Sequence, residues 1–552
     1  MNKVFRLLTA TVFAVVSLSG IANAQTAATG NIEGVVTDTT GAVLPGVTVV
    51  VKNQATNLTR ELVTDDAGRY RANALQPGVY EVTATLGGFQ SATFGNLEVN
   101  VGQTLAADVR MRAAGVTETV TVTAESPLID TRRTDVSNVV GETAIQNLPI
   151  NGRRWENFVL LGPGVTNDGN FGLVSYRGIS GLYNNNTVDG ADNNQAFFSE
   201  ARGRTRTSYS ISQAAIKEFQ VGVSNFSAEF GRAAGGTVNA VTKSGTNAFR
   251  GEAFYFLRDD KFTAKDPFFP AGVNRPDERR QQFGVGLGGP IQSSKAFYFV
   301  NYDGQRRNFP YFVRPSQSTF ITGACTAPGC ASTLAFYNGL SVFNPREGNN
   351  DIFLGKVDYT VNNKNTFTAQ YNMHRWDSPN GVQTQPVISV SPSANGADKV
   401  KTDFALFSLN SVVSDKWLNE ARVQIGRDFE SQEPNLPTGP GTTVTGGIDI
   451  GIPNFLPRPK YPDERRYQFI DNVTYYYGAH SIKSGFDFNF VHEDLVNLFQ
   501  GAGIYAYPNI NAIASDCPWR PTCGARGAAS ISTVVSSAPH STPVRASSAH
   551  SR

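Results

Sequence analysis

Three patterns of hydrophobic and polar positions follow one another along the chain. The first is a single apolar run, Leu7 to Leu18, behind Lys3 and Arg6 and ahead of Ala22-Asn23-Ala24. A positive start, an apolar stretch and a small-residue site make a secretory signal, with cleavage expected between Ala24 and Gln25. The run is short of the roughly 20 residues a spanning helix needs. No Cys follows the site, which argues against a lipid anchor. The second pattern, over residues 30–112, is short alternation broken by turns. Ile32, Gly34 and Val36 alternate with Glu33 and Val35, and Val47 to Val51 is β-branched. Asp38-Thr39-Thr40-Gly41, Pro45-Gly46, Asp65-Asp66-Ala67-Gly68 and Pro77-Gly78 punctuate the runs. Short strands at this spacing predict a β-sandwich.

The third pattern starts at Phe249 and is long alternation. Phe367, Ala369, Tyr371 and Met373 alternate with Thr368, Gln370, Asn372 and His374. Ala421, Val423 and Ile425 alternate with Arg422, Gln424 and Gly426. Ile482, Phe486, Phe488 and Phe490 lie opposite Lys483, Asp487 and Asn489. Runs of about 10 residues with one apolar and one polar face suit a barrel with lipid outside and water inside. Soluble strands are usually about 5–6 residues long. Short links near Gly289–Ser294, Asn362–Lys364, Ser414–Asp415 and Gly478–Ala479 alternate with long ones at about 259–280, 304–350, 376–401 and 429–465. Periplasmic turns and extracellular loops differ in this way.

Composition narrows the picture. Lys and Arg (48) nearly balance Asp and Glu (46), which argues against a nucleic-acid partner. The five His residues show no metal-protease spacing, and no nucleophile elbow or P-loop occurs. No enzyme activity, cofactor or metal is expected. Gly284, Gly286 and Gly289 spell GxGxxG, but inside a strand and with no helix behind it, so a dinucleotide site is not expected. Lumen-facing glycines there would instead admit close approach of an inner domain. Asp189, Asp192, Asn193 and Asn194 suit a turn better than a Ca²⁺ site. Arg202, Arg204 and Arg206 suit a solvated loop better than an anion site. The cysteines form two close pairs, Cys325/Cys330 and Cys517/Cys523, both in long connections. In an oxidising compartment two local disulfides are expected.

Family resemblances extend these readings. Gly34-Val35-Val36-Thr37-Asp38, Pro45-Gly46-Val47-Thr48-Val49, Thr64 to Tyr70 and Leu75 to Tyr80 resemble the carboxypeptidase regulatory-like domain, which implies a transthyretin-like sandwich without catalysis of its own. Glu118-Thr119-Val120-Thr121-Val122-Thr123-Ala124, stopped by Pro127, resembles a TonB box. The resemblance implies an added strand for the periplasmic domain of TonB, held by backbone hydrogen bonds. A last strand of the sandwich is the other reading of the same residues. Leu148 to Arg153, Leu160 to Val165, Tyr176-Arg177-Gly178, Val188 to Asn193, Ile216 to Phe219, Glu229 to Gly236 and Val238 to Asn247 match, in order, the plug of Oar-like TonB-dependent receptors.

The expected fold is mainly β: a transthyretin-like sandwich, a plug and part of an antiparallel transmembrane barrel. Expected divisions are a signal peptide at 1–24, the sandwich at 25–113, the TonB-box-like segment at 114–124, the plug at 125–247, a partial barrel at 248–523, and a low-complexity tail at 524–552. About nine barrel strands are countable, against about 22 in plugged transporters, so a truncated or frameshifted copy is expected. The resemblance implies a TonB-dependent receptor or transporter in the cell outer membrane, contacting lipid and an unidentified extracellular solute. A surface-structural or adhesive role without transport is the alternative.

Overall fold

The structure is a computed structural model that describes residues 29–114, 120–122, 136–169, 173–202, 209–264, 272, 277–323, 325–382, 388–478 and 480–515. The expected signal peptide with Ala24 and Gln25, the tail, and Cys517 and Cys523 lie outside the described residues.

The N-terminal domain is a sandwich of two sheets. One holds β1 (Gly30–Thr37), β4 (Arg69–Leu75), β7 (Thr104–Ala106) and β8 (Val109–Arg110). The other runs β3 (Thr59–Val63), β2 (Thr48–Asn53), β5 (Gly78–Thr85), β6 (Ala92–Val99) and β9 (Val120–Val122). Alternation along β1 and β2 turns Ile32, Val36, Val49 and Val51 inward, where they meet Tyr70, Val82 and Leu97 in one core. The turns fall at the Gly-containing breaks, and Asp65 Oδ1 accepts from the backbone N–H groups of Ala67 and Arg69.

An inner domain follows. Its sheet has the order β10 (Val136–Val140), β15 (Ile216–Ser224), β16 (Thr237–Thr242), β13 (Asn185–Val188) and β14 (Ala191–Asp192), with β13 and β16 parallel. A small hairpin, β11 (Val165–Asp168) and β12 (Leu173–Tyr176), and the short helix α1 (Glu142–Asn147) flank it. Its core of Phe158, Tyr209, Phe219 and Val221 extends to Phe299, Ile352 and Leu354 of the large sheet.

The large sheet has nine antiparallel strands in chain order: β17 (Arg250–Asp259), β18 (Arg279–Gln292), β19 (Ala296–Asn308), β22 (Glu347–Asn362), β23 (Asn365–Ser378), β24 (Gly396–Ser414), β25 (Trp417–Pro434), β28 (Lys460–Tyr477) and β29 (His480–Val496). Among the described residues the sheet is open, with β17 and β29 at its edges. Its burial is inverted relative to the sandwich. Gln370, Asn372 and His374 are buried against the inner domain side, whereas Phe367 and Tyr371 are exposed. On β29, Phe486, Phe488 and Phe490 are more than half exposed while Lys483 is buried. A water-facing sheet would not leave a row of phenyl rings outside, but a lipid-facing one must.

The two ends of the sheet differ. At the short-turn end, Asn247 ties the β18–β19 turn through Ser294 N to its Oδ1 (2.7 Å) and reaches the N-terminal domain through its own N–H to Ala55 O (3.0 Å). Arg71 of the N-terminal domain donates to Gly478 O in the β28–β29 turn (3.2 Å). The N-terminal domain therefore sits at the short-turn end. At the other end the long connections are not plain loops, which corrects the sequence reading of 304–350. They form β20 (Tyr311–Phe312), β21 (Phe343–Asn344), β26 (Gly441–Val444), β27 (Ile450–Gly451), β30 (Ile504–Tyr507) and helices α2 (Thr319–Thr322), α3 (Cys330–Gly339) and α4 (Ile510–Ala514). Tyr311, Val313, Phe320, Tyr337, Val444, Ile448 and Ile510 give this cap its own core. The residues come from separate connections, so no local periodicity announced the cluster.

Candidate functional site

The chemistry of the molecule concentrates where the inner domain meets the large sheet. The β13–β14 hairpin turns at Asp189 and Gly190, both with positive φ (48° and 77°), the geometry that favours Asp-Gly in a two-residue turn. The turn projects Asp192 at the sheet. Asp192 Oδ2 meets Arg466 of β28, Arg232 Nη1 at 2.7 Å and Asn489 Nδ2 at 2.7 Å. Its Oδ1 accepts from Asn194 N at 2.7 Å, and its own N–H donates to Gln468 Oε1 at 3.0 Å. Arg466 is fully buried and also holds Glu464 Oε1 (2.9 Å) and Asn194 O (2.7 Å). Burial alone would raise the Asp192 carboxyl, but Arg466, Arg232 and Arg202 outweigh it and hold it below its ordinary value.

Three further joints repeat the arrangement. Tyr209 and Ser212 donate their hydroxyls to the two oxygens of Asp303 on β19, at 2.8 and 2.7 Å. Thr242 donates to Asp189 Oδ2 (2.7 Å) and accepts from Lys356 Nζ of β22 (3.1 Å). Lys483 of β29 reaches Glu229 Oε2 at 2.5 Å and Glu420 Oε2 at 3.5 Å, with Arg422 beside Glu420. Burial raises the Glu229 carboxyl, and the Lys483 ammonium opposes that rise. Each joint places complementary polar groups across the interface between the inner domain and the sheet. Among the described residues, no group of His, Cys, Asp and Glu is set to hold a metal ion.

The residues singled out in the sequence divide accordingly. Of Asp189, Asp192, Asn193 and Asn194, only Asp189 lies in the turn; Asp192 is in β14 and is an ion-pair partner, and Asn193 and Asn194 follow that strand. Arg202 is not in a solvated loop: it is buried, stacks on Phe404 and donates to Gln424 Oε1 at 2.9 Å. Arg204 and Arg206 lie outside the described residues. Gly284 and Gly286 are on the inner face, but a Cβ on Gly284 would meet the Phe254 ring of the neighbouring strand, not the inner domain. The close approach falls on Gly288, with Gly245 Cα 3.4 Å from its would-be Cβ. Cys325 and Cys330 are bonded, Cα to Cα 5.7 Å, at the start of α3. Val120, Thr121 and Val122 are β9 at the edge of the sandwich, pairing in parallel with Ala92, Thr93 and Phe94 of β6. Glu118, Thr119, Thr123 and Ala124 lie outside the described residues. Arg466, Lys483 and Asp303 were missed. Their polar-face positions were visible in the alternation, but nothing in the sequence said which inner-domain residue each would meet.

The chain is similar to known proteins. Residues 31–112 match the carboxypeptidase regulatory-like domain family. Residues 241–315 and 313–533 match the outer membrane beta barrel domain family. A curated relative, the TonB-dependent transporter Oar of Myxococcus xanthus, is 26% identical over 377 residues, which cover 64% of this chain and 34% of that protein. Among solved structures, the outer membrane transporter YddB from Escherichia coli is similar with a TM-score of 0.48 and 11% identity, over 67% of this chain and 50% of that one. A ferric enterobactin receptor from Pseudomonas aeruginosa is similar with a TM-score of 0.46 and 14% identity, over 66% of this chain and 50% of that one. The chain thus spans about a third of the length of its curated relative and about half of these structures. With more than half of its residues matched and its aromatic sheet face turned outward, the chain belongs to the outer membrane beta barrel domain family and is a protein of the outer membrane.

Proposed function

We propose that the chain acts in TonB-dependent uptake of an extracellular solute. In this reading the inner domain is the plug, spanning about 125–247, and Glu118–Ala124 is the segment on which the periplasmic domain of TonB pulls. The observation that carries the reading is the set of buried polar joints between the inner domain and the sheet, centred on Asp192 and Arg466. Buried charges that pair across a joint are costly to separate singly, but they can be rehydrated together when the lumen opens. The reading also assigns directions. The N-terminal domain lies at the short-turn, periplasmic end, and the disulfide-bonded cap lies at the extracellular end.

The test follows solutes lost from a defined medium by energised cells that carry the chain, with TonB present or deleted. A solute whose loss needs both the chain and TonB supports uptake. Identical depletion in the two backgrounds rejects it, and an adhesion defect without any uptake defect would point to a structural surface role.

A further inference from the structure

The strand β9 has two edges, and only one of them is used. Its backbone pairs in parallel with β6, Ala92 opposite Val120, Thr93 opposite Thr121 and Phe94 opposite Val122. In the order β3-β2-β5-β6-β9 it is the last strand, so among the described residues its outer edge carries no partner strand. The chain after β8 is tied to the same sandwich as far as Ala114. Phe89 bridges to Ala113, Gln90 N donates to Arg112 O (2.8 Å) and Ala114 N donates to Gly88 O (2.9 Å). The domain that carries β9 is itself fastened to the periplasmic face of the inner domain. Lys217 Nζ donates to Pro77 O (2.5 Å), and Val101 N donates to Glu218 Oε1 (2.5 Å). Lys217 and Glu218 both belong to β15, the second strand of the inner sheet.

We propose that the N-terminal domain is a presentation platform: it holds Val120–Val122 already extended and offers their outer edge, so that a partner strand adds to the domain's five-stranded sheet. The inference rests on the reading of this segment as the TonB-binding one. Pairing by strand addition needs an extended backbone with unpaired N–H and C=O groups along one edge. A free segment must lose backbone entropy before it can pair. A segment already held against β6 has lost it beforehand, and pre-organisation of this kind raises affinity without adding contacts. Because a strand pairs through both edges, β9 need not leave β6 to be read. The platform thus makes a three-strand relay of β6, β9 and the partner, with the docked domain carrying the pull to β15 through Lys217 and Glu218.

The experiment uses the full chain in detergent micelles and the isolated periplasmic domain of TonB as probe. Thr93→Cys with Thr121→Cys lets a disulfide lock β9 onto β6, and Ala92→Cys with Val120→Cys is the second version should the first not close. Closure is verified by thiol labelling, and each oxidised protein is compared with its own reduced form. The expected result is that the oxidised form binds the probe as tightly as its reduced form, within about twofold, because β9 already lies on β6 in the natural chain. Weaker binding of the oxidised form overturns the proposal, because the strand would then have to leave the sheet to be read. Binding at least about tenfold tighter overturns it too, because the strand would then not be held beforehand in the natural chain. Val120→Pro with Val122→Pro examines the underlying reading separately: it removes two backbone donors. If that variant binds as well as the natural chain, the segment is not the TonB-binding one, whatever the disulfides do.

Discussion

The N-terminal sandwich and the large sheet use the same two-residue period to opposite ends. In the sandwich, Val49, Val51 and Val82 are essentially inaccessible, and the alternate residues face water. In the large sheet the hidden residues are Gln370, His374, Glu420, Arg422 and Arg466, and the rings of Phe486, Phe488 and Phe490 stand outside. Alternation reports only that a strand separates two environments. Which environment lies on which side follows from what surrounds the sheet. Water around the sandwich drives its valines together. Lipid around the large sheet removes that drive and makes polar groups the ones that need burial.

The largest test of this contrast is at the inner face. Asp192→Ala leaves Arg466 with Glu464 and Asn194 O but without its inner-domain carboxylate, and removes the same carboxylate from Arg232. Breaking a buried pair from one side costs about 3–5 kcal/mol. The expected outcome is release of the inner domain from the sheet, read as new protease cleavage within 136–242 while the strands stay protected. Unchanged protection would mean that the joint bears no load. Because the Asp192 carboxyl is held below its ordinary value by arginines, its contribution is present at neutral pH and is lost as pH falls through that depressed range.

The outer face gives the next effect. Phe488→Arg, near the middle of β29, should destabilise the membrane-embedded sheet by about 2–4 kcal/mol. Glu61→Arg, at an exposed position of β3, should stay within about 0.5 kcal/mol. Urea unfolding of the two variants in lipid vesicles measures the difference. Similar costs at both sites would remove the claim that the two sheets face different solvents.

The smallest effect is in the cap. Burial pushes the Asp449 carboxyl up to about 6. The folded cap therefore holds this proton more tightly than the unfolded chain. Its stability rises as pH falls from about 6 towards the ordinary carboxylate range, and the penalty is fullest above 6. Asp449 remains partly accessible, so Asp449→Asn should stabilise the cap at pH 7 by only about 1 kcal/mol. The gain should vanish at pH 4. Hydrogen exchange over 311–344 and 441–451 at the two pH values reads it, and a gain independent of pH would assign it to something other than this proton.

What the sequence determined by itself was everything carried by short-range order. Turn residues and β-branched runs marked the sandwich strands, because Gly, Pro and Asp constrain the backbone within a few residues. Long alternation marked the membrane strands and their lipid-facing rings, and the uneven links marked the two ends of the sheet. The same local order left Val120–Val122 open between a sandwich edge and a partner-binding strand, since an extended segment looks alike in both. Only the tertiary structure decided that β9 lies on β6, that Arg202 is buried on Phe404 and Gln424, and that Asp192 finds Arg466 across 274 positions of chain, the difference between the two numbers. It also decided that residues from separate connections, Tyr337, Val444 and Ile510 among them, share one core. The physical reason is the same in each case. A pairing between distant residues depends on how whole elements dock, and no period or turn signal within either segment encodes its partner.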